Sequence, residues 1–143
     1  MQQNEEVPFG KRYWYNHMKP KDIAIWERFI TKYPDAYDTC IYDFHVGDPP
    51  PFNPLADNGE DLNQDRLYRL KSDVVAKKGD RVDIIEIKPN AGASSIGQVK
   101  GYTTLYIRDE NYKGKIGMRV ITDTLSQNLD FIAKQEMVDV VVV

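Results

Sequence analysis

The stretch "RLYRLKSDVVAKKGDRVDIIEIK", residues 66–88, constrains the fold of this chain more than any other. Two strand-like runs flank "KKGD", a composition that predicts an antiparallel hairpin. Side chains two apart on a strand share a face. Glu86 and Lys88 therefore project together, beside Ile84, while Ile85 and Ile87 point the other way. Asp73 falls in the middle of the preceding run. If the hairpin sets Asp73 opposite Glu86 and Lys88, two carboxylates and an ammonium converge on one point of a sheet.

Around this hairpin the pattern predicts a mixed α/β fold. The first 20 residues are polar, aromatic and aperiodic, and read as an arm or coil lying on a single domain over 21–143. "PKDIAIWERFITKYP" predicts a helix, with Pro20 in the first turn and Ile23, Trp26, Ile30 and Tyr33 at helical spacing. "AYDTCIYDFHVG" predicts a strand. A long proline-rich, acidic loop follows over 47–65, and such loops are usually functional or mobile. Its "DNGED" lacks the ligand spacing and terminal glutamate of a calcium loop and reads as a solvated acidic turn. Beyond the hairpin, "SSIGQVKGYTTLYIRD" returns to helical spacing. "KIGMRVITD" reads as a strand, "TLSQNLDFIAKQ" as a helix and "VDVVVV" as a final strand. The order is α-β-β-β-α-β, then an extra α-β, which implies right-handed crossovers onto a mixed sheet.

Composition narrows the chemistry. At 143 residues, 41% hydrophobic and 29% charged, the chain has the make-up of one globular domain. No apolar run approaches the roughly 20 residues that span a bilayer, and the N-terminus has no signal-peptide pattern. The expected setting is the cytoplasm, or an assembly made there. Cys40 is the only cysteine and His17 and His45 the only histidines. Internal disulfides, thiolate-rich clusters and multi-histidine metal sites are therefore excluded. A bound metal would take oxygen ligands, as magnesium, manganese or calcium do. The net charge of -3 rules out holding nucleic acid by bulk electrostatics, so binding would need a local basic surface. Lys71, Lys77, Lys78, Arg81, Lys88 and Lys100 are the candidates.

Two carboxylates and a lysine at one point suit phosphodiester hydrolysis. Asp73 and Glu86, with the backbone carbonyl of Ile87, offer hard oxygens to Mg²⁺, which neutralises the scissile phosphate and acidifies an attacking water. Lys88 can orient that water or stabilise the pentacovalent charge. Asp73, then "EIK" at 86–88, then "QVKGY" at 98–102, in this order of elements, resembles the PD-(D/E)xK nuclease superfamily. The resemblance implies a restriction-endonuclease-like core between about residues 21 and 123, with a mixed central sheet flanked by helices. It implies DNA as substrate and Mg²⁺ or Mn²⁺ as cofactor, with Asp73 and Glu86 binding the metal and Lys88 assisting the water. Gln98 and Tyr102, a helical turn apart on one face, would support the site. Glu27 is the candidate for an acid from the first helix. Ser72 stands where the family usually has proline.

Several of these residues also have structural readings. Gln98 fits a capping box with Ser95 at the N-cap, and Tyr102 fits a core aromatic. His45 reads as a structural histidine without a second histidine beside it. Asp83 reads as marking the exposed edge of the hairpin, pointing away from Glu86 by strand parity. The arm, the proline-rich loop and the acidic charge also fit a non-catalytic adaptor on the same fold, such as a head-to-tail component of a bacteriophage virion. Such a protein would bind other phage or assembly proteins, or copies of itself. Loss of hydrolysis with retained nucleic-acid binding fits less well, since an idle site has no need of two adjacent carboxylates.

Overall fold

The computed structural model describes residues 3–48 and 70–143. Its elements are β1 (Glu6–Pro8), α1 (Pro20–Lys32), β2 (Thr39–Val46), β3 (Leu70–Lys78), β4 (Arg81–Ile87), α2 (Ala93–Asp109), β5 (Lys115–Thr122), α3 (Gln127–Gln135) and β6 (Asp139–Val142). They form one six-stranded sheet in sequence order, antiparallel from β1 to β4 and parallel from β4 to β6. This is the predicted α/β arrangement with one strand added. β1 lies within the predicted arm, too short to show a periodic pattern. Its Pro8 sits on an edge strand, where a missing N–H donor is tolerated. Of the proline-rich loop, all but Gly47 and Asp48 lies outside the described residues. Among the described residues no helix is long and apolar enough to cross a membrane.

Alternation along the central strands divides the core into two layers. Val75, Val82, Ile84 and Val120 face α2 and α3, packing on Ile96, Val99, Tyr106 and Leu129. Val74, Ala76, Ile85, Ile87 and Ile121 face α1, packing on Ile25, Trp26 and Phe29. The two crossover helices lie on the same face, as right-handed connections between successive parallel strands require. The arm closes the α1 face: Phe9 packs edge-on against Trp26 at 5.7 Å, and Tyr15 edge-on against Tyr42 at 5.3 Å.

Two local features shape the sheet near the expected site. In β2 the backbone of Asp43 is left-handed, at φ 55°. Asp tolerates that region better than most residues. The turn in the chain resets the alternation, so Ile41 and Phe44, three apart, both face α2. Next to it, β3 and β4 part. Their ladder runs from the Lys78–Arg81 pair to the Val74–Ile85 pair and stops, while β3 continues beside β2 to Leu70. The mouth of this fork is where Asp73 and Glu86 stand.

Candidate active site

The register that ends at Val74–Ile85 makes Asp73 and Glu86 the next opposed residues. Their carboxyl groups lie within hydrogen-bonding reach of each other. Asp73 Oδ2 also accepts the Ile87 backbone N–H at 2.8 Å. Its side chain thus replaces the strand partner that Ile87 loses at the fork. Ser72, wholly buried, puts its hydroxyl 3.4 Å from the Ile85 carbonyl and 3.2 Å from that of Val74. A proline here would have no side-chain donor for either carbonyl.

Burial dominates the electrostatics of the pair. Glu86 is 7% exposed, and its Oε2 is enclosed with no hydrogen-bond partner. Desolvation, followed by the Asp73 carboxyl, pushes the Glu86 carboxyl up to about 10, with Lys88 opposing. Asp73 is raised as well: by burial first, against the hydrogen bonds from Glu86 and the Ile87 N–H, with the charges of Asp22 and Asp43 adding to the rise. Two acids this close, with Glu86 buried, hold a proton between them at neutral pH. Tyr102 on α2 is also buried, and burial, then the charges of Glu86 and Asp73, push its hydroxyl up to about 12.

The pair opens into a cleft of about 620 Å³ lined by Asp73, Glu86, Ile87, Lys88 and the start of α1, Lys19 to Asp22, with Pro89. Lys88 follows the last residue of β4 and is exposed. Its N–H donates to the Ile121 carbonyl at 3.0 Å, and the loop beyond is tied to the end of β5 by Asn90 N–H to Asp123 and Ala91 N–H to Thr122. These ties fix the direction in which Lys88 leaves the strand.

The donors suit a hard divalent cation. An enclosed carboxylate oxygen without a partner, beside a second carboxylate, is where positive charge would relieve the desolvation that a proton relieves now. Asp73, Glu86 and the Ile87 carbonyl are the oxygens available. Among the described residues no group of three or more histidine, cysteine, aspartate or glutamate side chains is arranged to hold a metal. Any ion here would keep several waters, as magnesium does.

Several sequence expectations need correction. Glu27 does not reach the cleft, because its carboxylate accepts the Tyr15 hydroxyl at 3.0 Å. The acid that α1 contributes is Asp22, in its first turn. Ser95 is not an N-cap. Gly92 occupies that position without a side-chain bond, and Ser95 is buried in the first turn with its Oγ unpartnered. Gln98 therefore has no capping role, and it is exposed one turn before Tyr102. Asp83 does face away from Glu86, but it is buried rather than at an exposed edge, since β4 is interior to the sheet. It accepts the Tyr37 hydroxyl at 2.6 Å and Arg81 Nε at 2.9 Å. His45 does have a second histidine nearby: His45 Nε2 and His17 Nε2 lie 3.6 and 3.7 Å from the same Asp43 oxygen. Of the proposed basic residues, only Lys88 lines the cleft. Lys77, Lys78, Arg81 and Lys100 are paired with Glu6, Asp38, Asp83 and Glu136. Lys19 and Lys21 were missed. Their signal was the "KPKD" that opens α1.

No family model and no curated protein matches this chain. Solved structures share its fold. A repair endonuclease from Pyrococcus abyssi superposes with a TM-score of 0.51 at 13% identity, covering 94% of this chain and 49% of that one. An EndoMS–dsDNA complex superposes with a TM-score of 0.50 at 14% identity, covering 94% and 48%. The architecture is thus the fold of these two structures, a restriction-endonuclease-like mixed sheet flanked by helices. The chain spans about half the length of these structures, and at such identities the likeness is one of fold.

Proposed function

We propose that the chain is a PD-(D/E)xK-type nuclease that hydrolyses phosphodiester bonds of DNA with Mg²⁺ or Mn²⁺. The observation that carries this reading is the meeting of half-buried Asp73 and buried Glu86 at the parting of β3 and β4, beside Lys88 and open to one cleft. Asp73, Glu86 and the Ile87 carbonyl would hold the ion. When bound, it would neutralise charge on the scissile phosphate and acidify the attacking water. The chain's own groups do the rest. Asp73 is held toward the cleft by the Ile87 N–H. Glu86 holds a proton in the cation-free site and would hold the ion in its ionised form. Lys88 orients the water or stabilises the negative charge that grows on phosphorus-bound oxygens. Lys19 and Lys21 draw the DNA backbone toward the cleft. Tyr102, whose hydroxyl feels the charges of Glu86 and Asp73, would support the acids from α2, with Gln98 one turn before it. The two fold relatives, one a repair endonuclease and one in complex with dsDNA, support DNA as the substrate class.

The test is cleavage of plasmid and oligonucleotide DNA with and without Mg²⁺. Asp73→Asn, Glu86→Gln and Lys88→Met are expected to lower the rate at least ~100-fold, within the range a catalytic group contributes, while circular dichroism stays unchanged. Full activity in any one of them removes that residue from the mechanism, and full activity in all three removes the assignment.

A second reading, a non-catalytic adaptor of a phage virion, is favoured by Leu125, Phe131 and Met137, which stand exposed on and beside α3. Apolar surface of this kind suits docking to other assembly proteins or to further copies of the chain.

A further inference from the structure

The arm before α1 carries a second surface that the cleft does not explain. We infer that residues 11–21 bind a single nucleic-acid strand, stacking its unpaired bases on Tyr13 and Trp14 and passing its phosphates to Lys19 and Lys21. This rests on the reading of the cleft as the place where DNA is cut.

Tyr13 and Trp14 are 111% and 69% exposed, although both are large aromatics beside a packed layer. Their neighbours are fastened. The buried Tyr15 hydroxyl accepts the Arg12 N–H at 2.9 Å and donates to Glu27 at 3.0 Å, and His17 lies 3.7 Å from Asp43. The two rings are thus held outward on a fixed segment, which limits the ordering cost of a ligand that stacks on them. Trp14 borders a groove of about 340 Å³ with Arg12, Asn4, Asn16 and Tyr42, and Glu5 is its one carboxylate.

Charge singles out the occupant. Among the described residues Lys11, Arg12, Lys19, Lys21 and Lys88 make no ion pair, whereas Lys77, Lys78, Arg81 and Lys100 are each neutralised. The free cations run along the arm to the cleft. Arg28 and Lys32, also outside ion pairs, lie further along α1, Lys71 lies on β3 and Lys113 in the loop before β5. Aromatic rings interleaved with unpaired cations match a polyanion with flat apolar faces, and lysine is depleted at the cores of protein interfaces. Base faces are open to a protein ring only where the bases are unpaired, which selects a single strand over a duplex. The chain from Trp14 to Lys19 can span at most ~17 Å, so the stacked bases lie a few nucleotides from the phosphate in the cleft.

Fluorescence anisotropy in EDTA, with a labelled oligodeoxynucleotide and its duplex, separates strand binding from hydrolysis. The single strand is expected to bind at least ten-fold more tightly than the duplex. It should also quench the emission of Trp14, the exposed one of the two tryptophans; Trp26 is fully buried. The double variant Tyr13→Ala, Trp14→Ala, altered only at exposed positions, should melt as the wild type does and bind the single strand about ten-fold or more weakly. Lys11→Gln with Arg12→Gln should lower the slope of log affinity against log salt by about 0.7 per cation. Equal single-strand binding by wild type and the aromatic variant overturns the inference. If that variant still cuts DNA as the wild type does, the nuclease reading survives alone. Strand binding that depends on the arm, in a chain that cuts nothing with Mg²⁺, leaves this inference standing and removes the nuclease reading. Unchanged strand binding with loss of self-association or of a protein partner overturns it in favour of protein docking.

Discussion

Burial holds the Glu86 carboxyl at about 10, against an ordinary 4.5. Between those values the folded chain keeps a proton that the unfolded chain has released. The stability this group contributes is complete below about 4.5 and declines as pH rises toward about 10. Urea denaturation of the cation-free protein should therefore show stability falling from about pH 5 to about pH 9. Glu86→Gln, which cannot ionise, should flatten that decline; a slope equal to that of the wild type would show that Glu86 is ionised in the fold. Asp73, Glu86 and Lys88 were legible in the sequence because a hairpin and strand parity fix their relation without help from the rest of the chain. Lys19, Lys21 and Asp22 were not, because only the docking of α1 brings them to the cleft. Nor did the sequence reveal His17 beside Asp43, which depends on the course of the arm and on a left-handed residue inside β2.

Among the elements, α2 shows how a tertiary tie overrides a local signal. "SSIGQ" has the composition of a capping box, yet the bonds from Asn90 and Ala91 to the end of β5 start the helix earlier, at Ala93, and bury Ser95 inside it. Gln98 is left exposed one turn before Tyr102, where the proposed reaction would use it. Gln98→Ala should then change stability by no more than about 0.5 kcal/mol, the usual range for surface positions, and lower DNA cleavage several-fold. Thermal melting and cleavage measured on the same preparation decide it. A loss of about 1 kcal/mol or more in stability would show that Gln98 serves the fold instead. The β3–β4 hairpin formed as the sequence predicts, with Gly79 left-handed in its turn. β1 escaped notice because three residues ending in proline carry no strand period.

For the molecule as a whole, the order of elements and the two-layer core followed from periodicity, whereas the surface did not, since exposure of Phe131 and Met137 depends on how α3 is rotated against the sheet. Light scattering should give the mass of one chain, 16.5 kDa, if the cleft is what the protein works with. A larger mass that Phe131→Glu and Met137→Glu reduce to one chain would support the assembly reading instead. The fork between β3 and β4 has a further consequence in the order of folding. Closing one hairpin joins residues near in sequence, at small entropic cost. The two acids are thus neighbours as soon as that hairpin exists, while α1, which walls their cleft, arrives from the far side of β2 in the chain. Proton uptake by Glu86 would accordingly accompany helix docking, and a cation added before folding would meet the pair while it is still hydrated.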